Sequence, residues 1–350
     1  MLYRIYRPKT FAEIEGQEAV VQTLQGALIS GRIGHAYFFA GPRGTGKTTM
    51  ARLLAKAINC QQSKTQSLND QFQTEPCNSC FSCTEINAGK SMDLIEIDAA
   101  SNRGIDEIRN LKESAGTAAS SSAYKVFIID EVHMLTTPAF NALLKTLEEP
   151  PSHTIFILAT TEPHKVPDTI LSRVQRFEFK KLDRNQIITK LKKIAKAEKL
   201  NIEDEALPMI ATASSGSLRD AESALAKIMA YAGAKITADQ TSAILGIIPS
   251  HVHEQMLTYI HGKQVAPALE QVRTLYESGI NLEHFTKQFI DHVRGELIDQ
   301  LQNPTNHYPL STSSLVQIIE RFMSARADFK HSPIPQLPLE LAIIDLTHTD

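Results

Sequence analysis

Hydrophobic and polar positions form alternating blocks over roughly the first half of the chain. Short apolar runs, typical of strands buried on both faces, are separated by longer segments in which apolar residues recur every three or four positions. The helical segment after the third run has Thr137 as its cap, Pro138 in its first turn and Pro150 at its end. This alternation predicts a parallel sheet with helices on both sides, a three-layer α/β domain. The four predicted strands are Ala36–Ala40, Leu94–Asp98, Lys125–Ile129 and Thr154–Thr160.

Beyond residue 181 the pattern becomes helical. A lysine-rich segment opens at Leu182 and runs through Lys199, and an amphipathic helix is predicted from Val265 to Tyr276, ending near Gly279. The lysine run is compatible with DNA binding, but acidic residues recur just beyond it, which favours a solvated helix face. The predicted domains are an α/β domain at 1–181, a small helical domain at 182–245 and a larger helical domain at 246–350.

Composition narrows the class of protein. With 350 residues, of which 42% are hydrophobic and 21% charged, the chain has the composition of an ordinary globular protein of two or three domains. A formal net charge of −3 does not indicate a strongly basic nucleic-acid-binding domain, so DNA contact is expected to be local or shared with partners. The N-terminus has no apolar segment of signal-peptide length, and no run is long enough to span a bilayer. We therefore expect a cytoplasmic protein without membrane contact.

A glycine-rich loop follows the first predicted strand and precedes a helix. Loops of this spacing present successive backbone N–H groups to phosphates, while the lysine, here Lys47, neutralises their charge and the hydroxyl of Thr48 holds Mg²⁺. The helix N-terminus adds a favourable dipole for the same anion. The predicted nucleoside triphosphate site comprises Gly41, Pro42, Arg43, Gly44, Thr45, Gly46, Lys47, Thr48 and Thr49.

A carboxylate pair, Asp130 and Glu131, ends the third predicted strand. In a parallel sheet it would meet the glycine-rich loop at the carboxyl edge, where ligands bind. Asp130 is then expected to hold Mg²⁺, directly or through water, and Glu131 to polarise the attacking water. The alternative is that Glu131 is only a solvated acid at a strand end.

All four cysteines lie in one stretch, Cys60, Cys77, Cys80 and Cys83. Four thiolates complete the tetrahedral shell of a structural zinc and leave no position for a catalytic water, so Zn²⁺ would brace the fold. Free thiols, with Cys60 buried at the end of its helix, or an iron–sulfur cluster are the alternatives. Disulfides are the least expected in a cytosolic chain.

Several segments together carry a family resemblance. Tyr6–Phe11 with Gly16–Glu18, the four-cysteine insert, Asp130–Leu135 and Asn141–Pro151 resemble the tau/gamma subunits of bacterial DNA polymerase III, the clamp-loader motors of the AAA+ ATPases. The resemblance is close over about the first 225 residues and looser to the end. It implies an AAA+ domain with the zinc insert at 60–83, a helical lid at 182–245 and an oligomerisation collar at 246–350.

The resemblance also implies roles for individual residues. Thr160 or Thr161 would sense the terminal phosphate, and Arg173 would project an arginine finger into a neighbouring subunit. Arg219 would be a second sensor that reports bound nucleotide to the lid, and Arg7 would lie on the edge that binds the base. Without the resemblance, Arg173 could form a surface ion pair and Arg219 could be simply solvated.

Two further details concern these segments. Ser217 is predicted to cap the helix that carries Arg219, with Asp220 completing a reciprocal cap. Val174 stands where the family has cysteine, a change that leaves the finger assignment intact because that cysteine takes no part in phosphate chemistry. Arg103 matches a segment that lines the ring interior in relatives and is a weak candidate for contacts with DNA phosphates.

The resemblance implies an ATPase that uses ATP, Mg²⁺ and Zn²⁺ and loads a sliding clamp onto primed DNA. Its partners would be delta and delta-prime subunits, further copies of itself, the clamp and DNA, and as a part of the polymerase holoenzyme it would count among the nucleotidyltransferases. One alternative is a non-hydrolysing scaffold like delta-prime, which Lys47, Thr48 and Glu131 disfavour. Another is a branch-migration or initiator motor, which the cysteine insert and the collar-like C-terminal region disfavour.

Overall fold

The computed structural model describes residues 1–62, 74–232, 235–303 and 310–348. The chain divides into two compact units, Met1–Thr237 and Ala238–Asp350. The predicted end of the small helical domain at 245 lies inside the second unit, whereas the predicted boundary at 181/182 lies inside the first. The division into three domains remains a prediction.

The first unit is built on a five-stranded sheet in the order β2-β3-β4-β1-β5, with all strands parallel. The four predicted strands are present, and β5 was not predicted. It is an edge strand with one apolar residue, Phe177, between exposed Arg176 and Glu178, so it has no apolar run to recognise. The strands are β1 Ala36–Ala40, β2 Leu94–Asp98, β3 Lys125–Asp130, β4 Thr154–Thr160 and β5 Gln175–Glu178.

Helices cover both faces of the sheet. The helices in the first half of the unit are α1 Leu2–Ile5, α2 Glu18–Ile29, α3 Lys47–Asn59, α4 Phe81–Ala88, α5 Ile105–Gly116, α6 Thr137–Glu148 and α7 Asp168–Leu171, with short 3₁₀ turns at Phe11–Glu13, Val132–Met134 and Pro163–Lys165. They are followed by α8 Arg184–Ala197, α9 Ala206–Ala213 and α10 Leu218–Ala232, with a parallel pair of short strands, β6 Asn201–Ile202 and β7 Lys235–Ile236.

The two faces of the sheet have separate apolar cores. On one face Phe38 of β1 packs in a cluster with side chains of α5 and α6, such as Leu111 and Leu143. On the other face Tyr37 and Phe39 pack with side chains of α2 and α3, such as Leu24. Successive β1 residues therefore serve opposite cores, which explains why the strand appears as an unbroken apolar run.

Two helix starts show how local sequence fixes the boundaries. The cap of α6 is Thr136, one residue before the predicted Thr137. Asp183 begins α8 with a complete capping box, in which its side chain accepts from the N–H of Gln186 and the Gln186 side chain accepts from the N–H of Asp183. Most lysines of α8 are exposed as predicted, but Lys190 is only 8% exposed because it lies on the inner face of the helix.

The second unit is helical in its described residues. Its helices are α11 Ala238–Leu245, α12 Ser250–His261, α13 Val265–Glu277, α14 Leu282–Gln302, α15 Thr312–Asp328 and α16 Leu337–His348. The predicted amphipathic helix corresponds to α13, whose Ala268, Val272 and Leu275 are buried in one apolar cluster. Within the described ranges, no helix has both the length and the apolar character to cross a membrane.

Candidate functional site

A cavity of about 670 Å³ opens beside the carboxyl ends of β1 and β3. Ligands of parallel α/β sheets bind at such edges because the loops that follow the strands converge there. All of its lining residues belong to the first unit. Among the predicted site residues, it brings together Arg7, Arg43, Gly44, Thr45, Gly46, Lys47, Thr48, Thr49, Asp130, Glu131 and Arg219.

The glycine-rich loop requires glycine at its bends. Gly41, Gly44 and Gly46 have φ angles of +151°, +75° and +100°, which L-residues with a side chain rarely adopt. A Cβ atom on Gly41 would also clash with the carbonyl of Phe179, and one on Gly44 with the side chain of Ser217. The loop can therefore turn tightly along the wall of the cavity, which its residues Arg43 to Thr49 line.

Lys47 begins α3 and is only 6% exposed. Its Nζ donates to the carbonyls of Gly41 at 2.7 Å and Pro42 at 2.9 Å. Burial lowers the pKa of Lys47, while the nearby carboxylates of Glu131 and Asp130 act in the opposite direction. The ammonium group is thus fixed at the loop, within the electrostatic reach of the acid pair.

The hydroxyl of Thr48 donates to Oδ2 of Asp130 at 2.8 Å. The other carboxylate oxygen, Oδ1, accepts from the N–H of Glu131 at 3.0 Å. A hydroxyl and a carboxylate from two different elements are thus joined at one point. Because Mg²⁺ prefers hard oxygen ligands and keeps part of its water shell, this pair fits a magnesium site.

Glu131 has a left-handed backbone with φ +49°, an uncommon conformation for a residue with a side chain. Its Oε2 accepts from the N–H of Thr161 at 3.1 Å and from the hydroxyl of Thr161 at 2.8 Å. Nδ1 of His133 lies 3.4 Å from the same oxygen. The carboxylate lines the cavity and is held from the end of β4.

The two threonines at the end of β4 have different surroundings. Thr160 is fully buried, and its Oγ1 lies 2.9 Å from Nδ1 of His133 and accepts from the N–H of Glu162 at 3.0 Å. Only Thr161, the next residue, contacts Glu131 directly. His133 lies between Thr160 and the carboxylate of Glu131, and no sequence signal pointed to it beyond its place after the acid pair.

Arg219 and Arg7 reach the cavity from elements outside the loop. The guanidinium of Arg219 lies 4.9 Å from the ring centre of Tyr3, a cation–π contact that sequence reasoning missed. The N–H of Leu218 donates to the carbonyl of Gly44 at 3.1 Å, so the start of α10 is bonded to the glycine-rich loop. Burial lowers the pKa of Arg7, and the nearby Arg52 lowers it further.

The predicted cap before Arg219 is half correct. Oγ of Ser217 accepts from the N–H of Asp220 at 3.2 Å. The N–H of Ser217, however, donates to the carbonyl of Ser214 at 2.9 Å, so the Asp220 carboxylate does not complete the reciprocal cap. The preceding turn satisfies that N–H instead.

Arg173 lies outside the lining of the cavity. Its Nη2 is 2.7 Å from Oε1 of Glu148, and its Nη1 donates to the carbonyl of Thr169 at 2.7 Å and to Oγ of Ser172 at 2.9 Å. The ion pair given as the alternative is therefore formed within the chain. The side chain remains 34% exposed, so this pair is solvated.

The four cysteines converge as the spacing predicted. The Sγ atoms of Cys60, Cys77, Cys80 and Cys83 all lie within 4.8 Å of one another, and those of Cys77 and Cys83 are 4.0 Å apart. Zinc–sulfur bonds of about 2.3 Å in a tetrahedron require sulfur–sulfur distances of about 3.8 Å. The N–H of Cys80 donates to Sγ of Cys77 at 3.3 Å, which favours a thiolate there. None of the four forms a disulfide, and the cluster fits Zn²⁺. Residues 63–73 of the insert lie outside the described part of the chain.

Two buried polar side chains near the loop were missed. Gln17, 4% exposed, donates to the carbonyl of Lys180 at 2.8 Å and of Thr45 at 3.4 Å, which ties the loop to the segment after β5. Glu222, 5% exposed, lines the cavity, and burial raises its pKa to about 7 although Lys190 and Arg7 oppose the shift. Glu222 could have been found from the sequence, because it is an acidic residue on the otherwise apolar face of an amphipathic helix.

Comparison with known families matches two segments of the chain. Residues 16–183 match the family model described as DNA polymerase III, delta subunit. Residues 186–233 match the model described as the ATPase lid domain of the DNA polymerase III clamp loader subunit. The two matches cover the sheet domain and the helices α8 to α10 that carry Arg219 and Glu222.

Individual relatives extend the match over the whole chain. The chain is 39% identical to DNA polymerase III subunit tau of Bacillus subtilis over 363 residues, an alignment that covers 99% of the chain and 63% of that protein. It is 46% identical to subunit tau of Escherichia coli over 248 residues, covering 71% of the chain and 37% of that protein. The chain therefore spans less than two thirds of the length of either relative.

A solved structure supports the fold alone. The Holliday junction branch migration motor RuvB of Thermotoga maritima aligns with 73% of the chain and 79% of its own length, with a TM-score of 0.50 and 19% sequence identity. The match supports the parallel sheet with flanking helices as the fold.

Proposed function

The chain belongs to the tau/gamma family of DNA polymerase III clamp-loader subunits, and from this premise we propose that it is the ATP-hydrolysing motor of a clamp loader. One observation carries the proposal: Lys47, the Thr48–Asp130 pair and Glu131 line a single cavity. A scaffold without hydrolysis, like delta-prime, has no need for this set of groups.

The triphosphate is proposed to bind along the glycine-rich loop, with its phosphates at the N-terminus of α3. Lys47 then exchanges its bonds to the carbonyls of Gly41 and Pro42 for phosphate oxygens. Thr48 and Asp130 hold Mg²⁺, which neutralises charge on the phosphates. Glu131 orients and polarises the attacking water.

Thr161 is our candidate for the sensor of the terminal phosphate. The hydroxyl and N–H of Thr161 both donate to the carboxylate of Glu131. If a phosphate oxygen accepted the hydroxyl hydrogen bond instead, the carboxylate would be held less firmly. Thr160 lacks that contact and instead fixes His133. We therefore assign sensing to Thr161 and a supporting role to Thr160.

Arg219 and Arg173 are proposed to couple the nucleotide to assembly. Arg219 lies on α10, whose first residue is bonded to the loop, so bound nucleotide can set the position of α10. Arg173 is proposed to leave Glu148 and reach the terminal phosphate in a neighbouring subunit, where an arginine finger can contribute about 10³-fold or more in rate. In a reconstituted loader Arg173→Ala should then lower ATP turnover strongly while ATP affinity of the isolated chain is unchanged.

The proposed partners are delta and delta-prime subunits, further copies of the chain, the sliding clamp and primed DNA. DNA contact is expected to be mainly with phosphates, with exposed Arg103 as a weak candidate. Zn²⁺ held by the four cysteines is proposed to be structural, and the location cytoplasmic.

The test is clamp loading by a reconstituted complex. Labelled clamp retained on primed DNA would be counted with the parent chain and with Lys47→Ala, using Lys192→Ala, an exposed lysine of α8, as the matched control. The motor proposal expects loading to be lost only in Lys47→Ala. Normal loading by that variant would favour the scaffold, and no loading by the parent with all partners present would exclude a loader.

A further inference from the structure

Lys56 is a buried lysine that the proposed mechanism does not use. It lies on α3 nine residues after Lys47 and is only 2% exposed. Its Nζ donates to the carbonyl of Lys9 at 2.8 Å, to Oδ1 of Asn78 at 2.7 Å and to Oδ1 of Asn87 at 3.0 Å. All three hydrogens of the ammonium group are satisfied, so its position is well determined.

One of those acceptors belongs to the cysteine insert, and another lies on α4, the helix that carries Cys83. Asn78 lies between Cys77 and Cys80, and Asn87 is on α4. Nδ2 of Asn78 also donates to the carbonyl of Lys9 at 3.0 Å, and Nδ2 of Asn87 donates to Oδ1 of Asn78 at 3.2 Å. The carbonyl of Lys9 thus accepts one bond from α3 and one from the loop between Cys77 and Cys80.

A second contact holds the residues that follow Lys9. The carboxylate of Glu75, two residues before Cys77, accepts from the N–H of Phe11 at 2.6 Å and from the N–H of Ala12 at 3.0 Å. It also accepts from Nε2 of Gln25 at 3.3 Å. The insert therefore holds the backbone from Lys9 to Ala12 at three points.

The held segment continues directly into the wall of the cavity. Arg7, Pro8 and Lys9 line the same cavity as the glycine-rich loop, and so does Lys56. Helix α3 carries Lys47 at its phosphate-binding end and, about 13 Å further along, Lys56 with its bonds to Lys9 and Asn78. Both lysines therefore lie on one rigid element. A nucleotide with its phosphates at the loop must extend its nucleoside part into the rest of this cavity.

We propose that the four-cysteine module, with its metal bound, clamps the Arg7–Lys9 wall against α3 through Lys56, Asn78 and Glu75, and so sets how tightly the nucleoside part of the nucleotide is held. This rests on the proposed function only in that the cavity binds a nucleoside triphosphate. Lys56 is a positioning residue in this account. The triphosphate part is held by the loop and does not depend on the clamp.

The experiment compares two ligands of the full chain. Affinities for ATP and for inorganic tripolyphosphate would be measured by calorimetry for the parent, for Lys56→Met and for Lys90→Met, an exposed lysine in the same region as matched control. Zinc content per chain would be measured for each. We expect Lys56→Met to retain zinc and to bind ATP about tenfold more weakly, with tripolyphosphate affinity within about twofold of the parent.

Glu75→Gln provides a second variant in case Lys56→Met does not fold. It keeps the shape of the half-buried side chain but has a single acceptor oxygen, so it can keep only one of the two backbone bonds. We therefore expect a smaller loss of the same kind, about threefold and for ATP only. Removal of zinc with a zinc-selective chelator, followed by restoration of Mg²⁺, should reproduce the Lys56→Met pattern, and zinc addition should reverse it.

Two outcomes would overturn the clamp while leaving the proposed function intact. One is unchanged ATP affinity in both variants and in the zinc-free chain. The other is an equal loss for ATP and tripolyphosphate, which indicates a general structural defect. A parent chain that binds neither ligand would overturn the proposed function, and the clamp with it.

Discussion

The two units differ in which polar side chains they bury. In the described residues of the first unit six charged side chains are less than a tenth exposed. Three of them, Lys47, Lys56 and Glu222, line the cavity, whereas Asp93, Lys125 and Lys190 do not. In the described residues of the second unit no lysine, arginine, aspartate or glutamate is buried, and the buried polar side chains are three threonines and His253. Buried charge is costly unless it is paired or used. The contrast assigns ligand chemistry to the first unit and packing to the second.

The centres of the two units also differ in their backbone conformation and in their packing. Glu131 in the first unit adopts φ +49° at the cavity wall, and three glycines of the loop have positive φ. The apolar centre of the second unit consists instead of stacked rings, with Phe285, Phe289 and Phe322 fully buried and His253 beside them. Substitutions at the two centres should therefore have separable effects on turnover and on stability.

The largest expected effect is on catalysis in the first unit. Glu131→Gln removes the carboxylate that polarises water, and ATP turnover should fall about 10³-fold while ATP affinity stays within about threefold. Steady-state turnover and calorimetric binding measure both quantities. The thermal unfolding of the chain should change little. A loss of less than tenfold would mean that Glu131 is only a solvated acid at the cavity rim.

The counterpart in the second unit is Phe289→Ala. Phe289 is fully buried and contacts the rings of Phe285 and Phe322, so its truncation should cost about 3 to 5 kcal/mol in the free energy of unfolding of that unit. Differential scanning calorimetry would measure the cost. ATP turnover by the isolated chain, assayed where the variant is still folded, should stay close to that of the parent. A large drop in ATP turnover by the folded variant would contradict the view that the second unit serves packing alone.

The pH dependence of the first unit depends on Glu222. Its pKa is raised from 4.5 to about 7, so the folded chain holds this proton over a range in which the unfolded chain has lost it. The resulting stabilisation is present below pH 4.5 and is lost as pH rises through about 7, by roughly 3 kcal/mol in total. Glu222→Gln, neutral throughout, should remove this loss when unfolding is compared at pH 5 and pH 8. An unchanged slope would show that Glu222 is ionised in the folded chain.

The second unit should respond to pH with the opposite sign. Burial, and then the charge of His292, lowers the pKa of His253 from 6.5 to about 4. Its contribution is intact above pH 6.5 and is lost as pH falls towards 4, by about 2 kcal/mol between pH 7 and pH 5. His253→Phe, whose ring can stack on Phe285, should remove this part of the acid sensitivity. Equal acid sensitivity of the variant and the parent in chemical denaturation would contradict the assignment.

Local sequence was sufficient for the parts of the site that lie on one element. The loop, the acid pair and the four predicted strands each have their own pattern of glycines, carboxylates or apolar residues. The cysteine cluster was equally readable, because three of its four ligands lie within seven residues, from Cys77 to Cys83. Each of these patterns follows from chain geometry that does not depend on the rest of the fold.

Contacts between distant segments could not be read in this way. Thr160 and Thr161 are adjacent and chemically identical, and only the path of β4 decides which of them meets Glu131. Lys56 appears in the sequence as one more basic residue on an amphipathic helix, although the fold buries it against Lys9 and Asn78. The pairing of Arg173 with Glu148 likewise joins α6 to the end of α7. Strand β5 was not predicted because Phe177 is its one apolar residue, between polar and exposed neighbours.

The most direct test of the account is steady-state ATP turnover by the chain assembled with delta and delta-prime subunits, measured with and without sliding clamp and primed DNA. The account predicts that clamp and primed DNA together stimulate turnover and that Arg173→Ala abolishes the stimulation. Turnover that is the same with and without clamp and DNA would contradict it.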